Sequence, residues 1–230
     1  MSRSRGHVAA TIPAYDAVRS VGDIVARARR LFEVVLVVDD GSGDGTADAA
    51  RAAGAEIVLS HARNQGKGAA LQTAFDRLIE DGFDAVVTID ADGQHLPEEA
   101  PNLLEVWRQG ADMVLGVRHE LFGQMGQMRR ISNKVSSRLI SFAAGQSLSD
   151  VQTGFRLYDR SVLEGVGLRE SGFEAESAVI VRAVRRGFSV ASTPILLGFA
   201  DGRSTSHYRP VVDSLRIAKA VVQARMERVP

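Results

Sequence analysis

The sequence predicts one α/β domain, with a mostly parallel central sheet and helices on both of its faces. Three observations lead to this prediction. Short apolar runs rich in β-branched residues alternate with segments of helical period along the first half of the chain. The runs are apolar throughout, as expected of parallel strands that are buried on both faces. No repeat and no low-complexity linker divides the 230 residues, so we treat residues 1–230 as a single domain.

The first half of the chain is predicted to contain five strands. They cover residues 7–12, 33–38, 55–59, 85–89 and 112–117. Between the first strands, apolar residues recur at helical spacing from Val18 to Leu31, and a second helical segment covers residues 68–80. A third helix is predicted from Pro97 to Gln109, because proline suits the first turn of a helix.

The second half has a different rhythm and is predicted to form a small C-terminal subregion. Strands are expected over residues 155–158 and 189–195, short helices near residues 161 and 176–186, and a closing helix after the loop 201–206. A helix over residues 128–143 carries an apolar stripe with basic residues between its members: Ile131, Val135, Leu139 and Phe142. This stripe either packs into the core or lies on an anionic membrane surface.

Charge is balanced over the whole chain but not along it. The 28 basic and 28 acidic residues give a formal net charge of zero, which taken alone argues against a general nucleic-acid or membrane-surface binder. Residues 1–117 carry 11 basic and 18 acidic side chains, a net charge of −7, and residues 118–230 carry a net charge of +7. The absence of cysteine excludes disulfides, thiolate metal sites and a cysteine nucleophile. We therefore expect the two halves to have different tasks.

The sequence also bears on where the protein works. No segment approaches the roughly 18 apolar residues of a membrane span. The basic start of the chain leads into an apolar stretch that Pro13 interrupts and Asp16 ends, which is too short for a secretory signal. We therefore expect a cytoplasmic protein, with membrane contact limited to peripheral attachment at the inner face.

An acidic, glycine-rich segment follows the second predicted strand. It reads Val37-Val38-Asp39-Asp40-Gly41-Ser42-Gly43-Asp44-Gly45-Thr46. Ligands of open α/β sheets bind at the carboxyl ends of strands, so these side chains are candidate ligand contacts. Their spacing differs from that of the dinucleotide-binding fingerprint and from that of a calcium loop. The alternative is a polar turn before the next helix, with Asp44 or Thr46 as its N-cap.

A second pair of carboxylates follows the fourth predicted strand, in Asp90-Ala91-Asp92-Gly93-Gln94-His95. Two carboxylates and an amide oxygen are hard ligands that suit Mg²⁺ or Mn²⁺ shared with a diphosphate. The alternative is a turn with incidental acids, and His95 is expected to be structural. Two later acids, Glu174 and Glu176, either reach a cleft or begin a helix, where the helix dipole favours them.

Cations that suit phosphate occur in both halves. The segment Asn64-Gln65-Gly66-Lys67-Gly68 opens a helix and either offers N–H groups and one ammonium to an anion or forms a simple helix-entry turn. Arginine binds phosphate through two parallel hydrogen bonds. Surface arginines are usually solvated, but five in the basic half are candidates for this role: Arg118, Arg129, Arg130, Arg156 and Arg203.

Taken in order, these motifs resemble the family-2 inverting glycosyltransferases of the A-type fold. The resemblance is closest to the branch that transfers mannose or glucose to dolichyl or polyprenyl phosphate. It covers residues 7–210 and rests on these segments: Ile12-Pro13-Ala14-Tyr15, Val38-Asp39-Asp40-Gly41-Ser42, Asp44-Gly45-Thr46, Asn64-Gln65-Gly66-Lys67-Gly68, Asp90-Ala91-Asp92-Gly93-Gln94-His95, Gln152-Thr153-Gly154-Phe155-Arg156 and Gly172-Phe173-Glu174-Ala175-Glu176.

The resemblance implies a role for each candidate residue. Those that would bind the nucleotide-sugar are Pro13, Tyr15, Val38, Asp40, Lys67, Asp90, Ala91, Asp92 and Arg203. The ligands of the cofactor, Mg²⁺ or Mn²⁺, would be Asp90, Asp92 and Gln94. The acceptor phosphate would meet Arg118, Arg129, Arg130 and Arg156. Catalysis would involve Asp90, Asp92, Arg118 and Asp150.

The implied activity is metal-dependent transfer of a hexose from GDP-mannose or UDP-glucose to polyprenyl or dolichyl phosphate. A phosphate is already largely ionised near neutral pH and needs cations rather than a strong base, whereas a sugar hydroxyl needs a carboxylate base. The family's base before Gln-x-x-Arg-Trp is missing, since the only tryptophan is Trp107 on an earlier helix, and Asp150 is the fallback base. The arginine-rich half therefore favours a lipid phosphate.

Two alternatives to this activity stay open. The first is transfer to a sugar hydroxyl of a glycan or a lipid-linked acceptor. The second, from another class, is a nucleotide-sugar-binding protein without turnover. The main hypothesis implies as partners a nucleotide-sugar, polyprenyl phosphate and a membrane surface. A separate membrane protein that recruits the chain or moves its product is a further candidate partner.

Overall fold

Seven strands form one sheet in the computed structural model, which describes residues 6–118, 137–138, 140–146, 148, 151, 153–198 and 210–227. The strands are β1 (Val8–Ala14), β2 (Val35–Asp39), β3 (Ile57–Ser60), β4 (Ala85–Thr88), β5 (Met113–Arg118), β6 (Arg156–Asp159) and β7 (Val190–Ile195). Their order is β3-β2-β1-β4-β6-β5-β7. All neighbours are parallel except those of β6, which runs antiparallel to both β4 and β5. The predicted, mostly parallel sheet is confirmed.

Helices connect these strands. They are α1 (Val21–Ala28), α2 (Thr46–Ala52), α3 (Lys67–Glu80), α4 (Ala100–Arg108), α5 (Arg160–Gly165), α6 (Glu174–Arg185) and α7 (Pro210–Met226). A 3₁₀ turn at Pro97–Glu99 leads into α4, so the predicted proline start is confirmed with a tighter first turn. In the part of the chain that the structure describes, no helix is both long and apolar enough to cross a bilayer.

The sheet is buried on both faces because alternate residues of its strands point into different apolar clusters. In β2, Leu36 and Val38 face one cluster, while Val35 and Val37 face the other. Helices α3, α6 and α7 cover the first face. Helices α1 and α4 cover the second. This two-sided burial is the physical reason why the strands read as continuous apolar runs.

One local expectation is corrected by the structure, and a second is described only in part. The residue that caps α2 is Gly45 rather than Asp44 or Thr46, and the Asp44 carboxylate instead accepts the N–H of Thr46 at 3.0 Å. The predicted helix 128–143 falls mostly outside the described residues, although residues 140–144 are helical. There Ile140 is buried, but Phe142 is 84% exposed and does not join the core.

The strand order brings the two halves of the chain into one sheet. Strand β6, from the basic half, lies between β4 and β5 of the acidic half. The parallel strands β1, β2 and β4 end at the same edge, since Ala14 is paired with Asp39 and Thr11 with Thr88. The acidic segments after β2 and β4 therefore meet at this edge, as the sequence predicts.

Candidate active site

Hydroxyl groups tie together the loops that follow β1 and β2. The Oγ of Ser42 accepts the N–H of Asp16 at 2.9 Å, and the Oγ1 of Thr46 accepts the N–H of Ala17 at 2.8 Å. The carboxylate of Asp39 in turn accepts the N–H of Ser42 at 3.0 Å. The polar residues after β2 therefore hold the loop after β1, which carries one wall of the candidate site.

Asp40 fixes the segment that leads into α3. Its carboxylate accepts the N–H groups of Gln65 at 2.9 Å and Gly66 at 2.7 Å. The same carboxylate lies 2.6 Å from Nδ1 of His61, whose Nε2 lies 2.9 Å from the hydroxyl of Thr73. Asp40 thus anchors the start of α3, and with it the side chain of the first helical residue.

That first residue, Lys67, places its ammonium between two carboxylates. Its Nζ lies 2.6 Å from Oδ1 of Asp90, after β4, and 2.7 Å from Oε2 of Glu176, in the first turn of α6. Burial alone would raise the pKa of Asp90, but the nearby Lys67 and His95 lower it to about 2. Burial alone would lower the pKa of Lys67, but the two carboxylates raise it above its ordinary value. Asp90 and Lys67 are therefore both charged at neutral pH.

Two glycines make room for this cluster. A Cβ on Gly154 would collide with the carboxylate of Asp90. A Cβ on Gly68 would collide with the backbone carbonyl of Glu170, in the loop before α6. Helix α3 and strand β4 can approach the second half of the chain this closely only because both positions lack a side chain.

His95 packs beside Asp90 without facing solvent. It is buried, its ring stacks on Phe155 with the centroids 5.6 Å apart, and its Nδ1 lies 3.5 Å from Oδ2 of Asp90. The hydroxyl of Thr153 lies 3.5 Å from its other ring nitrogen. These contacts support the structural role expected for His95.

Arg156 lies behind the cluster and is only 1% exposed. Its guanidinium donates to the backbone carbonyls of Thr153 at 2.7 Å, of Val151 at 2.8 Å and of Glu176. The predicted role of Arg156 in binding an acceptor phosphate is therefore corrected, because its donors face main-chain carbonyls in a buried site. Arg156 instead fixes the first turn of α6 against β6.

A cavity of about 540 Å³ lies over these side chains. Its volume is within the roughly 300–1,000 Å³ range of small-molecule sites. The residues predicted to bind the nucleotide-sugar that line it are Pro13, Tyr15, Asp40, Lys67, Asp90, Ala91 and Asp92. The basic half contributes Gly172, Phe173, Val212, Asp213 and Arg216. The cavity is thus shared by the two halves of the chain.

Val38 and Gln94 are placed differently from the other candidates. The side chain of Val38 is fully buried in the apolar cluster beneath α3 and is absent from the described cavity lining, so a nucleoside contact through its main chain stays a prediction. Side chains alternate between the two faces of the sheet along β2, and that of Val38 points to the face that α3 covers. The backbone N–H of Gln94 donates to Oδ1 of Asp92 at 3.0 Å, which orients that carboxylate. The metal-ligand role of the Gln94 side chain stays a prediction.

The remaining candidates lie at or beyond the limits of the described residues. Arg118 ends β5 in register with Ile195, and only its backbone is described. The candidates outside the described residues are Arg129, Arg130, Asp150 and Arg203. Their roles in phosphate binding and catalysis stay predictions.

Asp90 and Asp92 fit a divalent cation that is shared with a diphosphate. Both line the cavity, and Mg²⁺ is usually held by one or two carboxylates together with substrate phosphates. Within the described ranges, no group of three or more His, Cys, Asp or Glu side chains gathers around a common metal position. The donor set therefore suits a cation whose ligand shell the phosphates complete.

The contribution of α7 to the cavity is not predicted by the sequence. Its first turns bring Asp213, which is buried, and Arg216, whose side chain is 62% exposed, to the cavity. The two charged groups lie 4.0 Å apart. The ring of Phe173, which also lines the cavity, lies 5.9 Å from the ammonium of Lys67. The only signal in the sequence was an acidic and a basic residue one helical turn apart.

A solved structure shares this architecture. The chain superposes with a TM-score of 0.76 on glucosyl-3-phosphoglycerate synthase from Mycobacterium tuberculosis, at 18% identity, over 97% of this chain and 80% of that one. That crystal structure contains Mn²⁺, UDP and phosphoglyceric acid. At this identity the likeness shows the fold alone, which is the A-type glycosyltransferase fold that the motifs imply.

The chain belongs to glycosyl transferase family 2, whose family model matches residues 10–167. It is 34% identical to the polyprenol monophosphomannose synthase of Mycolicibacterium smegmatis over 197 residues, 80% of this chain and 74% of the relative. It is 33% identical to the undecaprenyl-phosphate mannosyltransferase of Micrococcus luteus over 201 residues, 80% of each. A third relative, glycosyltransferase AglJ of Haloferax volcanii, is 30% identical over 79% of this chain, which spans 60% of that protein. The predicted membership of this family, and with it a transferase, is confirmed.

Proposed function

We propose that the protein transfers a hexose from a nucleotide-sugar to polyprenyl phosphate, with Mg²⁺ or Mn²⁺ bound at Asp90 and Asp92. The observation that carries this proposal is the cavity at the strand ends of a family-2 glycosyltransferase, lined by both carboxylates. Two relatives are named for mannosyl transfer to polyprenol or undecaprenyl phosphate, which supports a lipid phosphate as the acceptor.

The proposed donor site uses the acidic half of the chain. Pro13 and Tyr15 line the cavity and provide apolar and aromatic surface for a nucleoside. Asp90 and Asp92 would hold the divalent cation, which when bound offsets the negative charge that builds on the leaving diphosphate. Lys67 keeps Asp90 ionised, and the N–H of Gln94 orients Asp92.

The proposed acceptor step needs cations rather than a base. The acceptor oxygen attacks the anomeric carbon from the face opposite the diphosphate, so the configuration inverts as the bond to the diphosphate breaks. A phosphate monoester has a second pKa of about 6, so this oxygen is already largely ionised near neutral pH. Arg216, exposed at the cavity, is a described cation that can meet it.

Transfer to a defined acceptor tests this function directly. We would incubate the purified protein with Mg²⁺ or Mn²⁺, a panel of GDP- and UDP-sugars, and a short polyprenyl phosphate. The expected product is an acid-labile lipid-phosphate sugar whose formation stops when the metal is chelated. Transfer only to a sugar hydroxyl would contradict the proposed acceptor, and donor binding without any transfer would contradict the enzyme.

Substitution of Asp92 tests the metal assignment. Asp92→Ala removes one of two carboxylates proposed to bind the cation, so we expect transfer to fall by about 100-fold or more. Asp48→Ala is the matched control, because Asp48 is an exposed acid on α2 paired with Arg51 and lies outside the cavity lining. Metal-dependent transfer at an unchanged rate in Asp92→Ala would show that the cation is held elsewhere.

We further propose that the protein works at the inner face of a membrane and meets it through the outer face of α7. Four apolar side chains of this face are between 45% and 78% exposed, and exposed cations lie beside them. We call this face the α7 surface: Val212, Leu215, Arg216, Lys219, Val222 and Met226. None of the described exposed side chains of α7 is acidic, which suits anionic lipid. Because Val212 and Arg216 also line the cavity, the surface leads from the membrane to the proposed acceptor site.

A further inference from the structure

Lys67 pairs its ammonium with a carboxylate that is also a proposed metal ligand. It lies 2.6 Å from Oδ1 of Asp90, one of the two carboxylates proposed to bind the divalent cation. The side chain of Lys67 is only 14% exposed, and its helix is fixed by the contacts of Asp40 with the preceding backbone. An ammonium at this distance offsets the negative charge with which the carboxylate would attract a divalent cation.

Glu176 offers the same ammonium a second partner. Its Oε2 lies 2.7 Å from Nζ of Lys67, and its side chain is buried. Arg156 holds this acid in place, since the guanidinium donates to the backbone carbonyl of Glu176 and its Nε lies 3.7 Å from Oε1. Oε1 has no hydrogen-bond partner among the described residues, so Glu176 can accept more from the ammonium than it does here.

The two carboxylates that contact Lys67 differ in their access to the cavity. Asp90 faces the cavity, where a divalent cation and a diphosphate have access. Glu176 does not belong to the described cavity lining and lies behind Lys67 against β6. A divalent cation bound at Asp90 from the cavity side would therefore repel the ammonium toward Glu176.

We propose that Lys67 is a built-in counter-ion that competes with the divalent cation for Asp90, and that Glu176 is the positioning residue that receives the ammonium when the cation binds. This inference rests on the proposed function, because it takes Asp90 as a metal ligand. It assigns to Lys67 a role other than the direct contact with the donor that the helix-entry motif suggests. It also explains why one lysine in the cavity wall is shared by two acids from different halves of the chain.

Binding of Mn²⁺ alone, without nucleotide, tests the competition. Free Mn²⁺ is measured by its electron paramagnetic resonance signal, so the readout does not depend on turnover. Lys67→Met keeps a side chain of similar length but removes the positive charge, and we expect its affinity for Mn²⁺ to rise by about tenfold. Lys67→Arg keeps the charge and should stay close to the wild-type affinity.

Glu176→Gln should shift the affinity in the opposite direction. With only Asp90 as a charged partner, the ammonium of Lys67 stays at the metal site, and Mn²⁺ should bind several-fold more weakly. The double variant Lys67→Met/Glu176→Gln should bind Mn²⁺ like Lys67→Met, because no ammonium remains to be received. Arg77→Met is the matched control, since it removes an ion pair with Asp81 at the other end of α3. Thermal unfolding of every variant shows whether the fold is kept.

The outcomes separate this inference from the function on which it rests. If Lys67→Met folds and binds Mn²⁺ no more tightly than the wild type, the proposed competition is wrong. In that case the proposed metal site is still supported if Asp92→Ala loses Mn²⁺ binding. If Lys67→Met binds Mn²⁺ and the wild type does not, the inference is supported. If neither binds Mn²⁺, either alone or together with a nucleoside diphosphate, both the inference and the metal site are wrong.

Discussion

At the scale of single residues, the site depends on how closely backbone and carboxylate approach each other. Gly154 precedes β6 and packs against the side chain of Asp90, leaving no space for a Cβ. The same carboxylate contacts Lys67 and His95. The orientation of Asp90 therefore depends on Gly154, which has no functional group and only leaves the space that the carboxylate occupies.

We expect Gly154→Ala to damage activity more than stability. The added Cβ would push Asp90 away from its present position, which should lower kcat/KM by about 10-fold or more, while overpacking costs about 1–3 kcal/mol of unfolding free energy. Steady-state kinetics and urea unfolding measure the two effects. Gly43→Ala is the control, because Gly43 has open space around it and no positive φ. Equal activity of both variants would show that the position of Asp90 is not critical.

At the scale of elements, α7 is fastened to α6 at its C-terminal end and lines the cavity with its N-terminal end. Arg182 of α6 is buried between Glu170 and Glu227 and donates to both, at 2.9 Å and 3.0 Å. Arg185 adds a hydrogen bond to the carbonyl of Glu227 at 2.7 Å. These contacts place one end of α7, so they also help to place Arg216 at the other.

Arg182→Ala should weaken this attachment. It leaves Glu170 without this partner and Glu227 with Arg169 as its remaining ion pair, and because both carboxylates are partly exposed we expect a loss of about 2 kcal/mol, less than for a fully buried pair. Denaturant unfolding gives the loss. Arg160→Ala breaks an exposed i,i+4 pair with Glu164 and should cost no more than about 0.5 kcal/mol. A loss in Arg182→Ala as small as in the control would contradict this account of α7.

At the scale of the whole molecule, the charge split in the sequence does not correspond to two separate bodies. Strand β6 of the basic half is inserted into the sheet of the acidic half, and both halves line the cavity. Their charges meet in one cluster, where Asp90 and Lys67 of the first half face Glu176 and Arg156 of the second. The zero net charge thus conceals an internal pairing as well as the exposed cations of the α7 surface.

The α7 surface predicts how the whole protein partitions onto vesicles. Wild-type protein should float with vesicles of anionic phospholipid and much less with neutral ones, and the difference should shrink in about 1 M salt, where the screening length falls to about 3 Å. Lys219→Glu should weaken flotation without changing the cavity, since Lys219 does not line it. Arg108→Glu, at the end of α4, is the control. Equal flotation of both variants would show that another surface contacts the membrane.

The sequence by itself determined the alternation of strands and helices, the carboxylates at the strand ends and the family. It could do so because strand burial, helix period and strand-end motifs are written in neighbouring residues. Only the tertiary structure decided that Arg156 is buried, that Val38 faces the core, and that Arg216 reaches the cavity. Local spacing cannot distinguish a solvated arginine from a buried one. That choice depends on which distant carbonyls and carboxylates the folded chain brings within hydrogen-bonding distance.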